Sequence, residues 1–114
     1  MEDLLIAILS ELGYPVMLQG SLLSDEPYPD SFFTFWEDES EEVESYNNRE
    51  LLTAFSYSIN FYSTDQEKVY TAVREAIALL RTADFITSGA GYSVPSGNDT
   101  HDARGFEVKY LKNN

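Results

Sequence analysis

The sequence predicts an α+β fold: an antiparallel-rich sheet of four to five strands with two helices packed on one face, in the order α-β-β-β-α-β-β. Two neighbouring stretches carry this prediction. Along residues 51–61, large apolar side chains alternate with small or polar ones, which is typical of a strand with one apolar face. These side chains are Phe55, Tyr57, Ile59 and Phe61. Along residues 69–80, apolar residues recur at helical spacing, and this stripe is expected to cover the sheet.

The chain begins with a predicted helix over about residues 2–12, followed by a short strand. Gly13 is placed to end the helix, Pro15 prevents its continuation, and residues 16–18 form a short apolar run that ends at Gly20. The apolar positions at helical spacing are Leu4, Leu5, Ile8, Leu9 and Leu12.

Residues 21–29 contain two prolines and two acids and predict an ordered loop, with Leu22 and Leu23 turned inward. Residues 31–36 are apolar on both faces of an extended chain, as expected for an internal strand that is covered on both sides. The alternative is that one of those faces meets another subunit. The acidic tract of residues 37–44 repels itself and predicts a solvated loop.

Side-chain oxygens at Ser63, Thr64 and Asp65 suit a helix N-cap, and Glu67 lies three residues after Thr64, as in a capping box. After the second helix, residues 85–94 predict an extended stretch that two glycines interrupt. A turn at residues 95–99 precedes an alternating final strand at residues 106–110. The last two strands are therefore expected to form a hairpin.

Length and charge limit the classes of function. At 114 residues the chain is expected to form one domain, residues 1–114. The 20 acidic residues against 7 Lys and Arg give a formal net charge of -13, which argues against a groove that neutralises phosphates and so against direct nucleic-acid binding. Cysteine is absent, which excludes disulfides and thiolate chemistry. No apolar run approaches the roughly 20 residues of a membrane span, so we expect a soluble intracellular protein.

No residue pattern indicates an enzyme, and we predict no catalytic residue, no metal ligand and no cofactor. The one histidine, His101, lies among Asp99, Thr100 and Asp102. This cluster has the residue types of a metal site or general base, but it lacks a second histidine, and the same residues suit a solvated turn. The acidic tract does not have the spacing of an EF-hand calcium loop.

Five local motifs together resemble the small tail-completion and head-tail-joining proteins of phages and prophages of Gram-positive bacteria. The resemblance covers nearly the whole chain. Its motifs are Leu12-Gly13-Tyr14-Pro15-Val16, Gln19-Gly20-Ser21-Leu22, the run from Tyr28 through Trp36, Phe61-Tyr62-Ser63-Thr64-Asp65 and Gly89-Ala90-Gly91-Tyr92.

This resemblance implies a virion structural protein that is not an enzyme. Such a protein assembles in the host cytoplasm as a homo-oligomeric ring at the head-proximal end of the tail, where it terminates the tube and contacts tail-tube and head-connector proteins. A closing ring needs heterologous contacts, and the acidic tract is expected to face the lumen or a neighbouring subunit. The candidate interface residues are Phe33, Trp36, Glu37, Asp38, Glu39, Glu41 and Glu42.

Two alternatives of different class remain open. The charge also suits an acidic inhibitor or DNA mimic that occupies a basic site on a host protein. A small hydrolase or metal-dependent enzyme would have to use His101 and the nearby aspartates.

Overall fold

The computed structural model describes residues 2–19, 29–44, 51–87, 89–95 and 100–113, and for residues 39–44, 51–52 and 113 only the backbone. The fold is α+β, as the sequence predicts. No helix in the described part of the chain combines the length and apolarity that a membrane span requires. In chain order the elements are α1 (Glu2–Ser10), β1 (Val16–Leu18), β2 (Ser31–Glu44), β3 (Leu51–Ser63), α2 (Gln66–Thr82), β4 (Ile86–Thr87), β5 (Tyr92–Ser93) and β6 (Asp102–Asn113).

The described strands form one sheet in the order β1-β2-β3-β6-β4, and β5 also pairs with β6. The β1–β2 pair is parallel and the other pairs are antiparallel. The sheet has six strands, one more than predicted, because residues 85–94 form two short strands. Gly89 and Gly91, with φ of 72° and 94°, turn the chain between them, so each strand pairs with β6 separately. The predicted hairpin of the last two strands, β5 and β6, is confirmed.

β3 is the centre of the sheet and is paired on both sides. It pairs with β2 from Ser31↔Ser63 to Glu44↔Leu51. On its other side it pairs with β6 from Leu52↔Asn113 to Ser63↔Asp102. The predicted amphipathic strand is thus confirmed, and it extends two residues beyond the predicted stretch.

Both helices pack on one face of the sheet, as predicted. The apolar stripe of α2 is completely buried and meets side chains of β3 and β6 in a single core, to which α1 adds Leu5 and Leu9. Burial of each large apolar side chain contributes about 1.5–3 kcal/mol. The stripe consists of Val69, Ala72, Val73, Ala76, Ile77 and Leu80.

The first part of β2 is an internal strand that is covered on both sides, as predicted. Phe33 and Phe35 belong to the core under the helices. On the opposite face, Phe32 is 4% exposed and its ring stacks on Tyr62 with centroids 5.0 Å apart. Thr34 is also buried there, and its hydroxyl has no hydrogen-bond partner among the residues that the structure describes. The loop predicted for residues 21–29, with Leu22 and Leu23, lies outside the described residues except for Pro29.

The acidic tract is a strand, and the prediction of a solvated loop is wrong. β2 continues to Glu44 and pairs with the β3 segment that begins at Leu51. A register shift between Glu37 and Glu39 marks a β-bulge at the start of the tract. The partner residues 51–57 carry no charge, so pairing with β3 adds no like-charge contact across the ladder. Non-local pairing therefore outweighs the local repulsion.

Helix boundaries also differ in detail from the prediction. Asp65 is the N-cap of α2, and its Oδ1 accepts from the backbone N–H of Glu67 at 3.0 Å. The predicted Thr64–Glu67 capping box is wrong, because the helix begins one residue later and places Lys68 at the third helical position. α1 ends at Ser10, and Gly13 has a φ of 88°, consistent with its predicted role in ending the helix.

The strands are longer than the helices that cover them. At about 3.3 Å per residue, the 14 residues of β2 span about 46 Å, whereas the 17 residues of α2 span about 26 Å. Among the described side chains, core contacts reach along the sheet only as far as Phe55 and Tyr110. We call the three-stranded end of the sheet, formed by residues 39–44, 51–56 and 109–113, the arm.

Replacement of Asp65 by Ala should destabilise the fold by about 1 kcal/mol, because the N-cap acceptor for the Glu67 N–H is lost. Asp65→Asn keeps a side-chain oxygen and serves as the matched control. Denaturant unfolding followed by circular dichroism measures both changes. Equal stabilities of the Ala and Asn variants would contradict the capping role.

Gly105→Ala should cost about 1–3 kcal/mol, because an added Cβ would lie 2.3 Å from Oδ1 of the buried Asn60. Asn60→Ala removes that atom, so the double variant should lose less stability than the sum of the two single variants. A double-mutant cycle by denaturant unfolding measures the difference. Simple additivity would show that crowding against Asn60 is not the cause.

Candidate functional site

The structure places Phe33 in the interior of the monomer, which corrects its assignment to a subunit interface. Phe33 has no exposed surface, and its ring lies between Tyr14 and Phe61, with centroid distances of 6.2 Å and 4.7 Å. A side chain enclosed in this way cannot contact a partner subunit. Its aromatic character serves the core under α1, which is the packing role that an internal strand requires.

Residues 36–38 of β2 are more accessible. Trp36 is partly buried, and both Glu37 and Asp38 are exposed. Ser58 of β3 donates a hydrogen bond from Oγ to Oδ2 of Asp38 at 2.7 Å, which holds that carboxylate beside the sheet. These three residues therefore remain candidates for a contact surface.

The other candidate acids lie on the arm, where the structure describes their backbone. Glu39 stands opposite Ser56, Glu41 opposite Ala54 and Glu42 opposite Thr53. Ser56 is in turn opposite Lys109 of β6. One row of the sheet thus runs from an acid on β2, through an uncharged residue of β3, to a lysine on β6.

The sequence and the strand register together place a charge gradient across the arm. β2 contributes Glu39, Glu41, Glu42 and Glu44 to the arm, and the β3 segment, residues 51–56, contributes no charge. β6 contributes two exposed lysines, Lys109 and Lys112, of the 7 basic residues in the chain. We therefore take the arm as the candidate functional site.

The two lysines are functional candidates that sequence reasoning missed. They occur in the alternating pattern of the final strand, which predicts a half-buried strand and nothing about its neighbours. Their significance arises only because β6 lies on the other side of β3 from β2. That placement depends on strand pairing between residues about 50 positions apart, which periodicity does not indicate.

His101 holds two segments together. It is 9% exposed, its Nε2 lies 2.9 Å from the carbonyl oxygen of Pro29, and its Nδ1 lies 2.9 Å from the hydroxyl of Thr100. A carbonyl can only accept, so Nε2 donates to it. The edge of the Phe32 ring also packs against the imidazole. With both nitrogens bonded, the ring is engaged in structure, and a metal could bind only after one of these bonds is broken.

A depression of about 320 Å³ lies between the start of α2, β5 and β6, and its lining includes Arg104, which is partly buried. Its Nη2 donates to the carbonyl oxygen of Gly91 at 2.9 Å. The guanidinium also lies over the ring of Tyr70, 4.9 Å from the centroid. These contacts give the positively charged guanidinium a structural role rather than an anion-binding one.

A second depression, of about 310 Å³, lies at the beginning of α1 and is acidic. It is lined by Glu2, Asp3, Glu37, Phe55 and Tyr57. Burial, followed by the carboxylates of Glu37 and Glu2, raises the pKa of Tyr57 from 10.0 to about 12. Acids near the first turn of a helix stabilise its positive end. Among the described residues, no group of three or more His, Asp or Glu side chains is placed to hold a metal ion.

A third depression, of about 490 Å³, lies beside the arm on the face opposite the helices. Its lining includes both charged strands: Asp38 of β2 and Lys109 of β6, with Ile86 of the edge strand β4. Ile86 is 54% exposed. This surface is a broad, mixed-charge depression without an enclosed apolar interior, which suits contact with another macromolecule better than capture of a small molecule.

No family model matches this chain, and no curated protein matches it either.

The stability of the protein should fall as the pH rises from 10 to 12, in part through Tyr57. The folded state holds the Tyr57 proton more tightly than the unfolded state does, so this stabilisation is complete below pH 10 and lost as the pH approaches 12. Tyr57→Phe cannot titrate, so its loss over this range should be smaller by up to about 2 kcal/mol. Denaturant unfolding at several pH values measures both proteins. Parallel curves would contradict the assignment.

Proposed function

We propose that this protein is a virion structural protein that assembles as a ring at the head-proximal end of a phage tail. In this role it terminates the tail tube and joins it to the head. The observation that carries the proposal is the arm, an end of the sheet whose two outer strands carry opposite charges and have no further strand beside them among the described residues. The resemblance of five local motifs to tail-completion proteins supplies the biological setting.

The open end of the sheet supports an assembly role. An exposed strand edge carries unpaired backbone N–H and C=O groups, and it is stable in solution only if charges, bulges or a partner protect it. β2 has both a bulge and a series of acids. An edge of this kind keeps a subunit soluble before assembly and still allows it to pair with other subunits.

The net charge of -13 suits a subunit that lies beside DNA without binding it. A tube through which DNA passes benefits from walls that repel phosphates, because a cationic lining would bind the DNA and impede its movement. An acidic subunit at the junction between head and tail would meet this requirement.

The depressions on the described surface favour a binding protein over an enzyme. Arg104 is occupied by backbone carbonyls, and His101 is bonded through both nitrogens. Catalysis requires a nucleophile or general base within reach of a substrate, and the chemically active groups named above are engaged in structural contacts. We therefore propose that the protein acts through its surfaces.

Deletion of the gene from the phage should produce tails with a defect at the head-proximal end. Electron microscopy of the particles measures tail length and head attachment. Overlong tails without heads identify a terminator, because the tube then polymerises without a stop. Tails of normal length that lack heads identify a joining protein. Normal particles, with tails of normal length attached to heads, would contradict the proposal.

The acidic β2 edge also favours a second candidate function, an acidic inhibitor or DNA mimic that binds a basic site on a host protein. Purified virions distinguish the two functions, because a structural subunit is present in every particle and an inhibitor is not. An inhibitor would instead form a binary complex with a host protein, with an affinity that falls steeply as salt is added.

A further inference from the structure

The outer edge of β2 is open along the arm. β1 pairs with β2 only at residues 33–35, and the N–H of Gln19 then donates to the carbonyl oxygen of Phe35 at 2.9 Å. Among the described residues, no strand pairs with this edge over residues 36–44. Within this part of the chain, the backbone donors and acceptors on that side lack a strand partner, as at an edge that a further strand can join.

The outer edge of β6 is open at the same end of the sheet. β4 pairs with β6 at Val108 and Lys109 and ends there, and β5 pairs farther back, at Arg104 and Gly105. Within the part of the chain that the structure describes, nothing pairs with the outer side of residues 110–113. As far as the described residues show, the arm thus has two unpaired edges, with β3 between them.

The two edges carry opposite charges. Residues 36–44 contain six acids and no base, whereas the open residues 110–113 contain Lys112 and no acid, and Lys109 lies next to them. Like charges that stand directly opposite each other across a ladder destabilise it, and opposite charges stabilise it. A contact between two β2 edges would bring acids together, and a contact between two β6 edges would bring lysines together. Only a β2 edge against a β6 edge is complementary.

We propose that a second copy of this chain docks its β6 edge, residues 110–113, alongside the open β2 edge, residues 36–44, so that the sheet continues from one copy to the next. This inference rests on the proposed function, since a ring requires contacts between copies. β2 and β6 are each antiparallel to β3 and therefore run in the same direction. A neighbour in the same orientation presents β6 parallel to β2, and the pairing is confined to the ends of the two strands, because β1 and β4 cover the residues that precede them.

This contact is heterologous, which is the type that builds rings. Each copy uses β2 on one side and β6 on the other, so every added copy leaves one edge of each kind free until the ring closes. A two-fold dimer would use both edges of one kind, which the charges disfavour. The open β6 edge offers about four backbone positions, so we expect weak association that strengthens as protein concentration rises and salt falls.

Charge exchange tests the proposal in the full-length chain. The first variant combines Glu41→Lys with Glu42→Lys, and the second combines Lys109→Glu with Lys112→Glu. Sedimentation velocity at low salt should show oligomers of the wild type, and each variant alone should associate about tenfold or more weakly. An equimolar mixture of the two variants should recover association, because the unchanged acidic β2 edge of the second variant fits the unchanged basic β6 edge of the first.

Matched controls change the same charges elsewhere. Glu67→Lys with Glu75→Lys, and Lys68→Glu with Arg74→Glu, place these changes on exposed positions of α2. They should associate like the wild type, and circular dichroism confirms that every variant is folded. If the controls lose association as strongly as the edge variants, net charge rather than edge pairing governs assembly, and the proposal is overturned.

Cysteine cross-linking identifies the edges directly, because the chain has no native cysteine. With a short bismaleimide, an equimolar mixture of Glu41→Cys chains and Leu111→Cys chains should give covalent dimers, and neither variant alone should give them. Dimers of the Glu41→Cys variant alone would show pairing between two β2 edges and overturn the proposal.

The outcomes separate this inference from the proposed function. Wild-type oligomers that the edge variants leave unchanged would overturn edge pairing and leave the ring standing. A wild type that stays monomeric at its highest soluble concentration, together with no cross-linked dimer from the mixture of cysteine variants, would count against both, and the acidic edge would then serve only to prevent aggregation.

Discussion

The structure depends on the contact between the apolar stripe of α2 and the apolar face of β3. The sheet face beneath the helix is rich in large rings, among them Tyr57, Phe61 and Phe106, and the helix places small residues, Ala72 and Ala76, against it. Large side chains on one layer and small ones on the other fill the space between the layers at the density of a protein interior. The contact also fixes which face of every other strand is buried, because side chains alternate along each strand.

This part of the fold could be predicted because it is local. Every residue of the α2 stripe follows from helical spacing, and β3 follows from alternation, since one period identifies each element. The acidic tract shows the opposite case. Its local repulsion indicates a loop, but β3 supplies a partner strand whose uncharged residues accept the pairing. The interface prediction for Phe33 was also wrong. A strand that is apolar on both faces has the same sequence pattern whether its second face is covered by the same chain or by another subunit.

For the same reason, only the acids of the candidate site could be predicted from the sequence. The acids Glu39, Glu41 and Glu42 are contiguous in sequence and were identified, although as part of a loop. Lys109 and Lys112 are separated by two residues and are unremarkable in the sequence. They became part of a site only when β3 placed them one strand away from the acids. His101 illustrates the reverse error, since its acidic neighbours in sequence suggest chemistry, whereas its spatial neighbours, Pro29 and Phe32, give it a structural role.

The acidic edge can serve two purposes that are usually in conflict. A long strand edge invites indiscriminate pairing, and natural proteins suppress this with charges. The same charges also repel the correct partner strand unless that strand carries the opposite charge. In this chain the opposite charge lies on the far strand of the same arm, two strands from the acids. One charge pattern therefore disfavours pairing between two acidic edges while favouring head-to-tail pairing between copies. Solubility before assembly and specificity during assembly can then follow from the same few residues.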